Sequence, residues 1–432
     1  MNATPTRLAL LALLPAALLA CSGGEAPKEK AEAKPAAPPA APAKAYEPVQ
    51  EPLVGPAAPT ILLSQAWFTK NAAGKSVPGP ARLQIWRQGA EGWKASRLED
   101  ADSNVFHKAL LRDGKIITIS GEKANLKVWS FADGKWSQET LWTKSWGGKF
   151  NRLRDIEIGD VDGDGKDEWV MATHDGGVIA VYNPPETPGA AAEIIELDAK
   201  PDTFVHEIEI GDVDGDGKLE FFATPSDRNS SSDSQPGFVV MYRFDGTTYK
   251  RTVVDGEAGN THAKEILVND LDGDKKAEFF SVQEAQVKGN QILHPVEIRQ
   301  YHIQKDGSFK AETIATIDDR QTRFLLGADF DGDGKKELVA AAMKTGLYRL
   351  TPGKPGEPWT KTNFDAVSGG FEHSAYATDL NGDGTPELYV ASDDQQELKS
   401  YVWNKATSTF DRTLIGKLEK GVLTWNIEAG QL

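Results

Sequence analysis

GDVDGDGKDEWV, residues 159–170, decides the fold. Asp160, Asp162 and Asp164 alternate on a turn that Gly163 and Gly165 allow to be tight, because glycine adopts positive φ without steric cost. Glu168 follows and opens an apolar run. The pattern recurs as GDVDGDGKLEFF from Gly211, NDLDGDKKAEFF from Asn269, ADFDGDGKKELV from Ala328 and TDLNGDGTPELY from Thr378. The leading aspartates, Asp160, Asp212, Asp270, Asp329 and Asp379, stand 52, 58, 59 and 50 residues apart. A period of that size marks one supersecondary unit repeated in space, somewhat longer than a common propeller blade.

Alternate carboxylates on a turn repel one another unless a cation joins them. Calcium, a hard cation, takes six to eight oxygens at roughly 2.3–2.6 Å. The expected ligands are Asp160, Asp162, Asp164 and Glu168 by side chain, with Lys166 offering its carbonyl. The same positions give Asp212, Asp214, Asp216, Lys218 and Glu220, then Asp270, Asp272, Asp274, Lys276 and Glu278. The fourth copy gives Asp329, Asp331, Asp333, Lys335 and Glu337, and the fifth Asp379, Asn381, Asp383, Thr385 and Glu387. Up to five calcium ions follow. The third copy has Lys275 in place of the second glycine and is expected to be the poorest site; Asn381 removes one charge from the fifth. An EF-hand would need a bidentate Glu at position twelve between helices, whereas Met171, Ala223, Ser281, Ala340 and Val390 stand there and the flanks read as buried strands.

These loops, each followed by its strand, resemble the FG-GAP or VCBS repeat of integrin-α-like calcium propellers over residues 154–417. The family usually has Asp at the ninth position; this chain has Glu, whose longer arm shifts the ligand geometry. The resemblance implies an all-β, seven-bladed propeller. Hairpins with Asp-Gly turns support the count: GFVVMYRFDGTTYKRTVV from Gly237 and EIRQYHIQKDGSFKAETIATI from Glu297 follow calcium loops, while RLQIWRQGAEGWKASRL from Arg82 and LKVWSFADGKWSQETLW from Leu126 lie upstream without them. The first blade, with strands near residues 61–68, 82–87 and 93–98, lacks an inner strand, and Gly421–Ala429 reads as the missing one. The C-terminus is therefore expected to close the ring. Trp86, Trp129 and Trp403 alternate with apolar residues and are expected in the core.

The chain opens with Arg7 and a twelve-residue apolar run, Leu8–Leu19, too short to span a hydrocarbon core of about 30 Å. The single cysteine, Cys21, ends a Leu-Leu-Ala-Cys that resembles a bacterial lipobox, which implies cleavage before it and acylation. The expected organisation is a leader at 1–20, a lipidated Ala/Pro-rich linker at 21–59 that stays solvated, and a propeller at 60–432. By the same resemblance, Ser22 after the cysteine implies export to the outer membrane, with the domain on the periplasmic or surface side.

Six residues before each leading aspartate stand Arg154, His206, Lys264, Arg323 and His373, and the same step from Asp113 in the metal-free second blade reaches His107. These are expected to begin the innermost strands and ring one mouth of the central channel, on the face of the long loops 69–81, 226–237 and 282–295. Three readings stand: pairing with acids such as Asp155, Glu207, Glu265 and Glu372; an anion-binding mouth; or a His-metal or catalytic centre, which needs His107, His206 and His373 to converge. The formal charge of −16 argues against nucleic acid partners, and no nucleophile elbow, Walker loop or zinc spacing occurs. The expected function is a non-enzymatic calcium-binding surface for a protein or glycan, for adhesion or assembly. The alternatives are a polysaccharide lyase acting on acidic sugars and an envelope scaffold.

Overall fold

A computed structural model describes residues 50–432, apart from 54, 56, 148–150, 188–189, 201–202, 229–233, 257–262 and 354–356. The leader, Cys21 and the linker up to residue 49 lie outside the described residues. Within them the chain is all strand and loop. Seven antiparallel blades follow one another, six of four strands in chain order and the first with a short extra strand, Ser76–Pro78, on its four; a two-stranded ribbon, Gln286–Lys288 with Gln291–His294, lies beside the fifth. The seven blades and the C-terminal closure expected from the sequence are both present. Val422–Gln431 pairs along Pro59–Lys70, which pairs with Ala81–Gly89 and then Gly92–Asp100, so the last strand is the innermost of the first blade.

Alternating side chains put apolar residues on both faces of each sheet, and neighbouring blades bury them against each other. Seven apolar clusters result, one at each junction. Leu62, Leu83 and Leu98 meet Phe106, Ile116 and Trp129 between the first two blades. At the closing junction Ile61, Leu63 and Ile427 meet Tyr389 and Leu398, with Trp86 among them. Trp86 and Trp129 are core, as the alternation predicts, and Trp403 packs at the edge of its cluster.

Five junctions add a staple that the repeat pattern does not reveal: an aspartate at or just past the end of one blade's outer strand accepts hydrogen bonds from the next blade. Asp100 takes Lys127 Nζ at 2.7 Å. Asp198 takes the Tyr242 hydroxyl and Arg251 at 2.6 Å. Asp255 takes the Tyr301 hydroxyl at 2.8 Å and Arg299 at 2.9 Å. Asp319 accepts the amides of Lys344 and Thr345 at 2.7 and 2.8 Å, and Asp365 takes the Tyr401 hydroxyl at 2.8 Å. Asp100 and Asp319 are buried, which a carboxylate tolerates only when paired in this way.

The linker boundary moves. Glu51 N donates to Arg97 O at 3.1 Å, Trp136 Nε1 donates to Glu51 O at 3.3 Å, and Leu53 packs on the first junction. Ala58 and Leu432 exchange backbone hydrogen bonds. The folded part thus begins by Gln50 rather than Thr60, because these residues cover the outer edge of the first blade and the closing strand.

Deleting residues 418–432 removes the innermost strand of the first blade and exposes the edge of Pro59–Lys70. The expected outcome is a protein that elutes as aggregate in size exclusion with light scattering; a monomer as stable as the full chain would contradict closure by this strand.

Candidate functional site

At one end of the ring, the turns after the inner strands hold the five acidic loops. Backbone amides shape each of them. In the first, Gly163 N and Gly165 N donate to the two oxygens of Asp160 at 2.8 and 3.0 Å, Asp164 N donates to Asp162 at 2.9 Å, and Val161 N donates to Glu168 at 3.0 Å. The other copies repeat the arrangement: Gly217 N on Asp212 at 2.8 Å, Lys275 N on Asp270 at 3.0 Å, Gly334 N on Asp329 at 2.9 Å and Gly384 N on Asp379 at 2.8 Å. Lys275 takes the glycine's left-handed conformation, φ 72°, so the third loop keeps its shape at a steric cost.

Ligand atoms of Asp160, Asp162 and Glu168 come within 4.8 Å of one another, as do those of Asp212, Asp214 and Glu220, and of Asp270, Asp272 and Glu278. The fourth loop gathers Asp329, Asp331 and Asp333, and the fifth Asp379, Asp383 and Glu387. Asp164, Asp216, Asp274 and Glu337 stand outside those groups. Burial, with Asp162 next, pushes the Glu168 carboxyl up to about 7, and burial likewise lifts Glu220 to about 7. Crowded, amide-oriented oxygens of this kind fit a hard divalent cation, which removes the repulsion. The residues in position to hold it are the first, third and ninth of the first three loops, the first, third and fifth of the fourth, and the first, fifth and ninth of the fifth; its chemistry there would be structural.

At the opposite end the inner strands open onto an axial channel of about 280 Å³ lined by all seven blades. The ring positions reach it through a local irregularity. The ladder between the two inner strands skips His107 in the second blade, Arg154 in the third, Lys264 in the fifth and Arg323 in the sixth. Each is the extra residue of a β-bulge, which re-aims a side chain, and these four line the channel. The closing strand has its bulge at Trp425, a channel residue that the six-residue step did not reach because the first blade carries no aspartate loop.

His206 and His373 depart from the expected ring. In the fourth blade the ladder skips two residues, so Glu207 takes the channel and His206 turns back to sit edge-on to His174 and Phe204, at 5.8 and 6.2 Å. In the seventh the inner strand begins only at Ala375, and His373, at φ 57°, is wholly buried. His373 Nδ1 donates to Ala342 O at 2.6 Å and Nε2 accepts from Ser368 at 2.8 Å, while Glu372 takes its place in the channel. The three histidines therefore do not converge.

The channel is polarised. Near the mouth Arg323 pairs with Glu372 and with Glu284 (3.3 Å), and Lys264 pairs with Glu284 at 3.3 Å. Arg154 has a longer contact, 3.8 Å to Glu372. His107 lies between two guanidiniums, with Arg152 3.3 Å from Nε2 and Arg154 3.3 Å from Nδ1. Burial first, then Arg154 and Arg152, hold its pKa well below the ordinary histidine range. A neutral imidazole has one lone pair and accepts from only one of them, which leaves a donor in excess. Arg154 also lies over the Trp425 ring at 5.4 Å and Arg323 over Phe371 at 4.7 Å. Deeper in the channel Asp155, Glu157, Glu207, Glu209, Glu265 and Glu428 surround Lys108. Burial opposes the Lys108 ammonium, but Asp155 (2.9 Å), Glu157 and Glu207 outweigh it and hold its pKa well above the usual lysine range. Burial raises Glu207, Glu209 and Glu265 well above the usual carboxylate range and Glu428 to about 8. Alternation after the bulge, as in Arg154-Asp155-Ile156-Glu157, was the available signal for the deeper acids.

Glu428 has a raised folded-state pKa, so the folded protein binds a proton that the unfolded chain releases near pH 4.5; stability falls as pH rises from there through about 8. Glu428→Gln is expected to raise the melting temperature by several degrees at pH 9 and to leave it nearly unchanged at pH 4. Equal shifts at both pH values would contradict this titration.

Residues 160–223 and 329–390 match the FG-GAP-like repeat family. Two Bacillus subtilis (strain 168) proteins are similar: rhamnogalacturonan endolyase YesW, 26% identical over 248 residues, which covers 43% of this chain and 37% of the lyase, and rhamnogalacturonan exolyase YesX, 24% identical over 237 residues, covering 44% and 39%. The match thus spans under two-fifths of each lyase. Among solved structures, a Lactobacillus plantarum protein superposes with a TM-score of 0.55 at 11% identity, over 86% of this chain and 99% of its own. The Dos1 propeller does so with 0.52 at 8%, over 87% and 92%. These likenesses are of fold. The chain carries FG-GAP-like repeats set in a seven-bladed β-propeller.

Proposed function

We propose that this chain is a calcium-binding module, lipid-anchored through Cys21 to a bacterial outer membrane on its periplasmic or surface side, that presents the mouth of its propeller to an anionic glycan or protein for adhesion or assembly. The observation that carries this reading is the division of the molecule into two ends: five carboxylate groups with ligand atoms within 4.8 Å at one, and a cationic, aromatic-rimmed mouth at the other. A sugar ring stacks on an indole face, and a ligand carboxylate would pair with Arg154, whose contact to Glu372 is a long 3.8 Å. The mouth cations that pair with Glu284 and Glu372 serve blade-to-blade cohesion as well.

A second reading, a lyase acting on acidic polysaccharide at the mouth, is favoured by the two rhamnogalacturonan lyases among the relatives.

Calcium that binds only the folded state adds about 2.7 kcal/mol per site at a hundredfold excess over its Kd. Chelation is therefore expected to lower the melting temperature and added calcium to restore it; an unchanged melting temperature would contradict the calcium role. Binding to acidic polysaccharides, measured by affinity electrophoresis, is expected to weaken at least tenfold in Trp425→Ala and Arg154→Ala without release of unsaturated sugars. Release of such sugars by the wild-type protein would favour the lyase, and binding unchanged in both variants would rule out the mouth.

A further inference from the structure

The five loops are not alike in what faces their carboxylates. In the second, Arg243 on strand Val239–Phe244 reaches Asp214 with Nη2 and Glu220 Oε1 with Nε at 2.8 Å. In the fourth, Arg349 on strand Gly346–Thr351 reaches Asp331 and, at 2.6 Å, Glu337. These are the third and ninth positions both times.

The two arginines reach them from different places. Tyr242 pairs with the residue after Glu220, and Arg243 follows it; Leu350 pairs with the residue after Glu337, and Arg349 precedes it. The same bridge therefore arises twice by different routes and is not a by-product of the repeat. At the corresponding positions the first loop has Val181 and Asn183, the third Gln300 and His302, and the fifth Ser400 and Val402. Lys166 of the first loop pairs with Glu186 at the surface and lies 3.7 Å from Asp164, at the fifth position, so it does not bridge the third and ninth carboxylates. The Arg349 guanidinium is also held over the Trp403 ring at 4.3 Å, and Glu337 stands outside the close group that the three aspartates of its loop form.

A guanidinium is a permanent planar cation whose fork suits two carboxylate oxygens. Placed across the third and ninth ligands, it supplies the positive charge that those oxygens need and removes them from the set a calcium ion would use. We propose that Arg243 and Arg349 serve as built-in counter-cations, so that the second and fourth loops are closed without metal while the first and third require it. This rests on the calcium reading of the loops.

Calorimetric titration of the chelator-treated full-length protein with calcium tests it. Asp160→Asn is expected to remove one calcium equivalent from the wild-type protein and Asp212→Asn none. Arg243→Met and Arg349→Met, which keep the apolar stem, are each expected to gain one equivalent, to melt lower in chelator and to recover on adding calcium. Loss of an equivalent in Asp212→Asn together with no gain in either arginine variant would overturn the inference and leave the calcium reading intact. No uptake by the wild-type protein or any variant would overturn both.

Discussion

Carboxylates held together at the turn between the two inner strands impose the constraint on which the rest of the molecule depends. Each blade with such a turn orients three acids by backbone amides into a space where they repel one another, so each turn must be neutralised for the blade to keep its innermost hairpin. That hairpin is also the part of the blade that meets the axis and both neighbours. The state of a surface loop is thereby tied to packing: Val161, Val213 and Phe330, which sit inside the loops beside the leading aspartates, are buried in the junction clusters. Loosening a loop therefore loosens the contact between blades.

The other end of the same strands meets a different demand. Strands converging on an axis crowd their side chains, and a bulge near the start of six inner ladders turns one residue into the channel. Here His107, Arg154, Glu207, Lys264, Arg323 and Trp425 are delivered, and the residues one and three further on include the acids Asp155, Glu157, Glu265 and Glu428. The channel is therefore cationic at the mouth and acidic inside. A ligand that enters from the mouth meets guanidinium and indole first, and its negative charge is favoured there and opposed deeper down.

Much of this was legible in the sequence because it is local and repeated. Spacing alone fixes the five loops, the alternation and Asp-Gly turns fix the hairpins, and an unpaired first blade with a spare strand at Gly421–Ala429 fixes the closure. What escaped depends on register or on contacts between distant residues. His206 and His373 share the spacing of Arg154, yet a two-residue skip and a left-handed turn send them elsewhere. Trp425 sits in a blade with no aspartate to count from. The staples at Asp198, Asp255 and Asp365 and the bridges from Arg243 and Arg349 join residues that no short pattern relates. The docking of Glu51 and Leu53 shows that a Pro-rich stretch with one leucine can still find a groove.

The central claim is that the acidic loops are cation sites that brace the ring. A crystal structure grown in calcium, with anomalous data, tests it most directly. Density is expected at the first and third loops, ringed by Asp160, Asp162 and Glu168 and by Asp270, Asp272 and Glu278 at roughly 2.3–2.6 Å. Loops that keep their shape with no ion among these carboxylates, at calcium concentrations in the millimolar range, would contradict it.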